Sequence, residues 1–240
     1  RLMVCSLVAS ALSLTLAPTN AQFQDGDILI GKSIFDDTLA IVRGGSVVAD
    51  PFTQPFIQGL DFDNTGGINN NLAGNLVMLN RGTPTIGGSV YIGATDGSGT
   101  VTLVGDFDNF PAFANIQASF DVFGQVAVSP DNSKIAITTD GDSGAPGSVL
   151  LFDYDPTQVG IDNTAVLANG RAVDGAWFAF GLHDVEWLDN DTLILADGDS
   201  AQIDTIDLDG SGNFDVASRT KRRQLLGPNG GNQPLDSFNL

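Results

Sequence analysis

The chain has 240 residues, with ten Lys and Arg against 29 Asp and Glu. The formal net charge of −19 at pH 7 disfavours nucleic acid as a partner, because phosphates and this surface repel each other. The single cysteine, Cys5, lies in an N-terminal segment expected to be removed, which excludes disulfides and thiolate metal sites from the mature chain.

Residues 1–21 read as a signal peptide: one positive charge, an apolar run from Leu2 to Leu16, and small residues at Thr19 and Ala21 before Gln22. That run is shorter than the ~20 residues of a membrane-spanning helix, and no later segment is continuously apolar for that length. The expectation is an exported protein, extracellular or periplasmic, without membrane insertion. The mature chain would then be held together by its core alone.

The acids are almost all aspartate. Glu186 is the one glutamate, and 29 glycines accompany the set. Asp favours turns and caps, where its short side chain accepts from nearby backbone N–H groups, so this composition describes short strands joined by tight turns.

Apolar alternation begins at Asp27 to Ile30, Thr38 to Val42 and Ser46 to Ala49, which reads as a first, partial unit. The second unit opens on GLDFDN, Gly59 to Asn64, and continues through strands at Asn75 to Asn80, Ser89 to Ala94 and Thr100 to Val104. Phe110 to Phe120 carries aromatics but also Pro111 and no capping box, and reads as a connection with at most a helical turn. A third unit opens on GQVAVSPDN, Gly124 to Asn132, followed by Lys134 to Thr139, Gly147 to Asp155 and Thr164 to Ala168. The fourth opens on HDVEWLDN, His183 to Asn190, with strands at Asp184 to Leu188, Thr192 to Ala196, Gln202 to Asp207 and Asn213 to Ala217.

The openings at Gly59, Gly124 and His183 lie 65 and 59 residues apart, and four strands per unit with such a period predict an all-β propeller of four-stranded antiparallel blades. About four blades are expected over residues 22–217. Residues 218–240 read as a Gly/Pro/Asn-rich linker or inter-blade segment, with Arg219, Lys221, Arg222 and Arg223 as a solvated charge cluster or a partner-docking patch. The start at Arg1 and the lack of a visible closing strand before Leu240 lead to the expectation that the chain is part of a longer protein.

The segment from Phe123 to Pro156, FGQVAVSPDNSKIAITTDGDSGAPGSVLLFDYDP, resembles the secreted propeller repeats of the YVTN, NHL and TolB-like superfamily. EWLDNDTLILADGDSAQIDTIDLDGSG, Glu186 to Gly212, has the same layout with Trp187 in place of the Ser-Pro region. The resemblance, over roughly Gly59 to Val216, implies about six to eight blades around a central channel in a complete member. Its members include binding modules, scaffolds, lactonase-like enzymes and oxidoreductases, so a reaction must be argued from a site.

The sharpest motif is DLDGSGNFD, Asp207 to Asp215, which places Asp207, Asp209 and Ser211 at the first, third and fifth positions of a calcium loop, and Asp215 at the ninth. The twelfth position is Ser218, not a bidentate Glu, and no helix flanks the loop. A β-hairpin turn and a weak calcium site are both open readings. Asp61 and Asp63 in DFDNTG repeat the idea more weakly. Residues two apart on a strand share a face, so Asp61 with Asp63, Asp106 with Asp108, Asp153 with Asp155 and Asp197 with Asp199 form carboxylate pairs, either solvated beside turns or holding hard cations.

GDSGAP, Gly141 to Pro146, looks like the serine-nucleophile signature of trypsin-like proteases. The lone histidine, His183, follows it, which reverses that family's chain order, and in the propeller register the segment is a turn. His183 with Asp184 and Glu186 opens an inner strand, where the three are candidates for metal binding or acid–base work, or simply packed structural groups. Trp177, Trp187, Phe178 and Phe180 read as blade-to-blade core rather than a sugar platform.

Two functions follow. The first is an exported, non-catalytic propeller that binds protein or glycan through its loop-rich faces, with calcium as a stabiliser. The alternative is a calcium-dependent hydrolase of lactonase type, with Glu186, His183 and Asp184 around a channel metal. Quinone-dependent sugar oxidation needs gathered cations, whereas Lys32, Arg43, Arg81, Lys134 and Arg171 are scattered along the sequence.

Overall fold

The computed structural model describes residues 27–31, 38–53, 57–63, 74–80, 88–95, 98–107, 122–140, 147–173, 182–197 and 202–224. Among them the regular structure is all strand apart from two 3-10 turns. Strands β1 (Ile28–Gly31), β2 (Thr38–Arg43) and β3 (Ser46–Thr53) form a three-stranded antiparallel sheet, the first blade. The second blade is β4 (Ile57–Phe62), β5 (Asn75–Asn80), β6 (Ser89–Ala94) and β7 (Val101–Asp106). The third is β8 (Val122–Val128), β9 (Lys134–Asp140), β10 (Ser148–Tyr154) and β11 (Leu167–Val173). The fourth is β12 (Leu182–Trp187), β13 (Thr192–Asp197), β14 (Gln202–Leu208) and β15 (Phe214–Gln224). In each four-stranded blade the strands lie in sequence order, so every connection is a hairpin.

Period-two alternation decides how the blades stack, because successive side chains leave opposite faces of a sheet. Val77 and Leu79 of β5 face the third blade and join Val126, Val128, Ile135 and Ile137 in one buried cluster, whereas Leu76 and Met78 turn the other way and meet Ile41 of the first blade. The third blade repeats the scheme: Leu150 and Phe152 face the second blade, Val149 and Leu151 the fourth. The second and third blades are thus apolar on both faces, which is why their strands read as near-continuous hydrophobic runs. Each buried Leu, Ile or Val contributes about 1.5–3 kcal/mol over an exposed one.

Trp187 belongs to the core between the third and fourth blades, as its aromatic context suggested, and its Nε1 donates to the carbonyl of Ala127 at 3.1 Å. Trp177, Phe178, Phe180, the Phe110 to Phe120 connection, the GDSGAP segment and residues 1–21 lie outside the described residues.

Several boundaries differ from the sequence reading, β3 running on to Thr53 among them, and two have a visible cause. The last strand of the third blade starts at Leu167, because Asn163–Ala165 form a 3-10 turn capped by Asp162, whose carboxylate accepts from the Thr164 backbone N–H. β15 runs on to Gln224, so Arg219 lies inside the sheet. Its guanidinium pairs with Asp204 on the neighbouring strand β14, a fully buried carboxylate that anchors the extension. The side chains of Lys221, Arg222 and Arg223 lie outside the described residues.

Candidate functional site at the inner strands

β4, β8 and β12 are the first strands of successive blades and lie side by side. Each pairs with one neighbour in its own sheet, so its other edge presents backbone N–H groups with no strand partner, a cost that must be met by other acceptors. Side chains from the same strands meet it. Asp61 Oδ2 accepts from Val128 N of the next blade at 2.6 Å, and its Oδ1 from Phe62 N at 2.7 Å. Gln125 Oε1 reaches back to Leu60 N at 2.8 Å and also accepts from Val126 N. On β12, Asp184 Oδ1 accepts from Val185 N at 3.0 Å and Glu186 Oε1 from Trp187 N at 2.9 Å.

These caps need close strands. A Cβ added at Gly59 would sit 2.9 Å from Val126 N and 3.0 Å from the Cα of Gln125, so the approach of β4 to β8 requires glycine there. Ala127, which takes the blade position of Asp61 and Glu186, is buried in one cluster with Trp187.

Burial pushes the Asp61 carboxyl up to about 6. The N–H bonds from Val128 and Phe62 oppose that push, and the charges of Glu186 and Asp63 add to it. Glu186 is exposed, and Asp184 is buried.

Asp63 has a different role from Asp61. Fully buried, it accepts from Asn75 N and Asn75 Nδ2, both at 2.8 Å, and from the Tyr154 hydroxyl at 2.6 Å across to the third blade. Burial first, then the Asp63 charge, raises the Tyr154 hydroxyl pKa, so it remains a donor.

The Asp207 to Asp215 motif forms the β14–β15 hairpin, with Asp207 directly opposite Asp215. Asp209 Oδ1 accepts from Ser211 N at 2.8 Å and Asn213 N at 2.9 Å, closing the turn, and these bonds, Asn213 first, hold its carboxyl below the usual range. Asp215 Oδ1 accepts from Ala217 N, and Asp207 Oδ1 from Thr192 Oγ1. Among the described residues no three His, Cys, Asp or Glu side chains converge as metal ligands. His183 sits at the irregularity between Leu182 and Asp184 in β12, and its side chain lies outside the described residues.

Sequence reasoning missed one grouping. Lys134 pairs in register with Asp153, and Arg171 lies beyond it on β11, so two cations read as scattered meet in a groove between the third and fourth blades. The hairpin lengths held that signal: Lys134 opens a second strand and Asp153, near the end of the third, falls opposite it.

No family model matches the sequence, and no curated protein is similar to it. Solved structures are. An auxiliary nutrient binding protein from Bacteroides thetaiotaomicron has a TM-score of 0.54 at 13% identity, over 85% of this chain and 46% of that one. The chain folds as a β-propeller. A periplasmic gluconolactonase from Pseudomonas aeruginosa is similar at a TM-score of 0.45 and 14% identity, over 81% of this chain and 60% of that one. A chain of a nidogen/laminin complex is similar at 0.49 and 12%, over 75% and 54%. The chain spans about half the length of the structures it matches.

Proposed function

We propose that the protein is an exported propeller that binds a protein or glycan and does not turn it over. What supports this reading is the use made of the inner-strand acids: Asp61, Asp184 and Glu186, the groups a channel hydrolase would recruit, each accept from an edge N–H. The oxygens that hold these N–H groups cannot turn to a metal or a proton without leaving a donor unmet. The repeat style of the YVTN, NHL and TolB-like superfamily belongs to the same proposal, as does export with a mature start at Gln22. No helix among the described residues is long and apolar enough to cross a membrane.

One observation favours the hydrolase reading. Asp61 has its carboxyl pushed up to about 6, chiefly by burial and in smaller part by the charge of Glu186, and a raised carboxyl on an inner strand is a candidate acid. The discriminating experiment is lactone hydrolysis by the full chain, with calcium and with chelator. Background rates in both, unchanged by Glu186→Gln, are expected. Calcium-dependent turnover lost in Glu186→Gln would overturn the binding reading.

A further inference from the structure

The groove between the third and fourth blades lies where their turns meet, is open to solvent, and has a volume of about 460 Å³. It is framed by Lys134 at the start of β9, Arg171 on β11, Asp191 ahead of β13 and the Asp209 to Gly212 turn. The volume suits a small ligand, but the walls are charged and hydroxylated, with Leu208 as the apolar contribution, so the ligand must be polar throughout.

The donors and acceptors on the walls define that polarity. Among the described residues Lys134 Nζ donates to Ser133 Oγ alone, and Lys134 lines the groove with N–H donors to spare. Both Arg171 bonds, from Nη1 at 3.0 Å and Nη2 at 2.6 Å, go to one oxygen of Asp153, whose other oxygen takes Asn169 Nδ2. Asp153 thus accepts three bonds, while the guanidinium has further N–H donors beyond the two it gives to Asp153. Across the groove, Gly212 brings the turn close: a Cβ there would lie 3.6 Å from Lys134 Cε and 3.7 Å from Arg171 Nη2. The turn contributes the Ser211 hydroxyl and the Oδ2 of Asp209, and Asp191 adds a second exposed carboxylate that accepts no bond among the described residues.

A bare anion such as phosphate would meet Lys134 and Arg171 but also the three carboxylates of Asp153, Asp191 and Asp209. A sugar with one carboxylate separates these demands, placing its charge against the cations and its hydroxyls, as donors, against the acids. We infer that this groove binds an acidic saccharide of the uronate type, its carboxylate held by Lys134 and Arg171 and its hydroxyls by Asp191, Asp209 and Ser211. The inference rests on the binding reading above and gives that reading a ligand class and a place.

The test is calorimetric titration of the full chain with a uronate disaccharide, its neutral hexose counterpart and glycine as a zwitterion. Two variants accompany it. Lys134→Gln removes the unpaired cation, and Gly210→Trp fills the groove, at a position where an added Cβ meets nothing within 4 Å and the backbone suits an L residue. The uronate is expected to bind about tenfold or more tighter than the neutral sugar, as one charge-assisted contact gives, and to lose binding in both variants while their melting curves stay at wild type. Uronate binding that survives both variants overturns the groove but leaves a saccharide-binding propeller. Preference for the neutral sugar or for glycine overturns the ligand class. No saccharide binding overturns the inference, and the binding reading itself falls only if lactone turnover then appears.

Discussion

The Tyr154 hydroxyl donates to Asp63 Oδ2 at 2.6 Å, joining two blades through residues 91 positions apart in sequence. Asp63 is wholly buried, so this bond and the two from Asn75 stand in for water that the carboxylate loses. Tyr154→Phe removes one donor from a buried charge and should lower stability by about 1–3 kcal/mol in urea denaturation. Combined with Asp63→Asn, it should cost less than the sum of the two, because both act on one network.

The Asp61 carboxyl gives a pH signature. Its folded value of about 6 exceeds the ordinary 3.8, so the native state binds the proton more tightly than the unfolded chain, and stability rises as pH falls from about 7 to 4. The gain from pH 7 to pH 5 should be about 1 kcal/mol, and Asp61→Asn should flatten it. Below that range the sign reverses. Asp155, held below the usual range by the Thr157 hydroxyl, and Asp209, by the Asn213 N–H, stabilise only while ionised, so stability is lost as they protonate. Denaturation midpoints across this range check both limbs.

Gly74 has φ +72°, and a Cβ there would overlap the carbonyl oxygen of Asp63. Gly74→Ala should cost about 2 kcal/mol or more, through strain and displacement of the Asp63 network. Gly210→Ala, in open space, should stay within about 0.5 kcal/mol. Paired urea denaturation curves distinguish a steric requirement from ordinary turn preference.

Arg219 and Asp204 supply a fourth test. Asp204 is fully buried on β14, with Oδ2 taking Arg219 and Oδ1 without a partner among the described residues. Arg219→Met should destabilise by about 3–5 kcal/mol, because it leaves an uncompensated buried charge. Asp204→Asn on that background should recover part of the loss, read by thermal or urea denaturation.

The blade repeat was legible in the sequence because period-two alternation and Asp-Asn turns are local signals. The strands beginning at Asn75, Lys134 and Thr192 start where the pattern places them. The Leu167 start of β11 was not legible, since the Asp162 cap competes with strand pairing only once the hairpin is formed. Nor were the partners of the inner acids. Asp61 reads as half of a carboxylate pair with Asp63, yet one caps an edge N–H 67 residues away and the other serves a buried tyrosine. Such pairings depend on how blades stack, which no window of sequence contains. The same stacking brings Lys134 and Arg171 to one groove.

The central claim is that the acids of the inner strands are structural caps of the propeller, leaving recognition to the groove between blades. Amide hydrogen exchange at Val128 tests it most directly, because its N–H is an edge donor held by Asp61 alone across the blade boundary. The account predicts protection of that amide comparable to paired strand amides, lost selectively in Asp61→Ala while Ile135 and Ile137 remain protected. Exchange as fast as at the exposed Ser211 turn, or protection that persists without the Asp61 carboxylate, would contradict it.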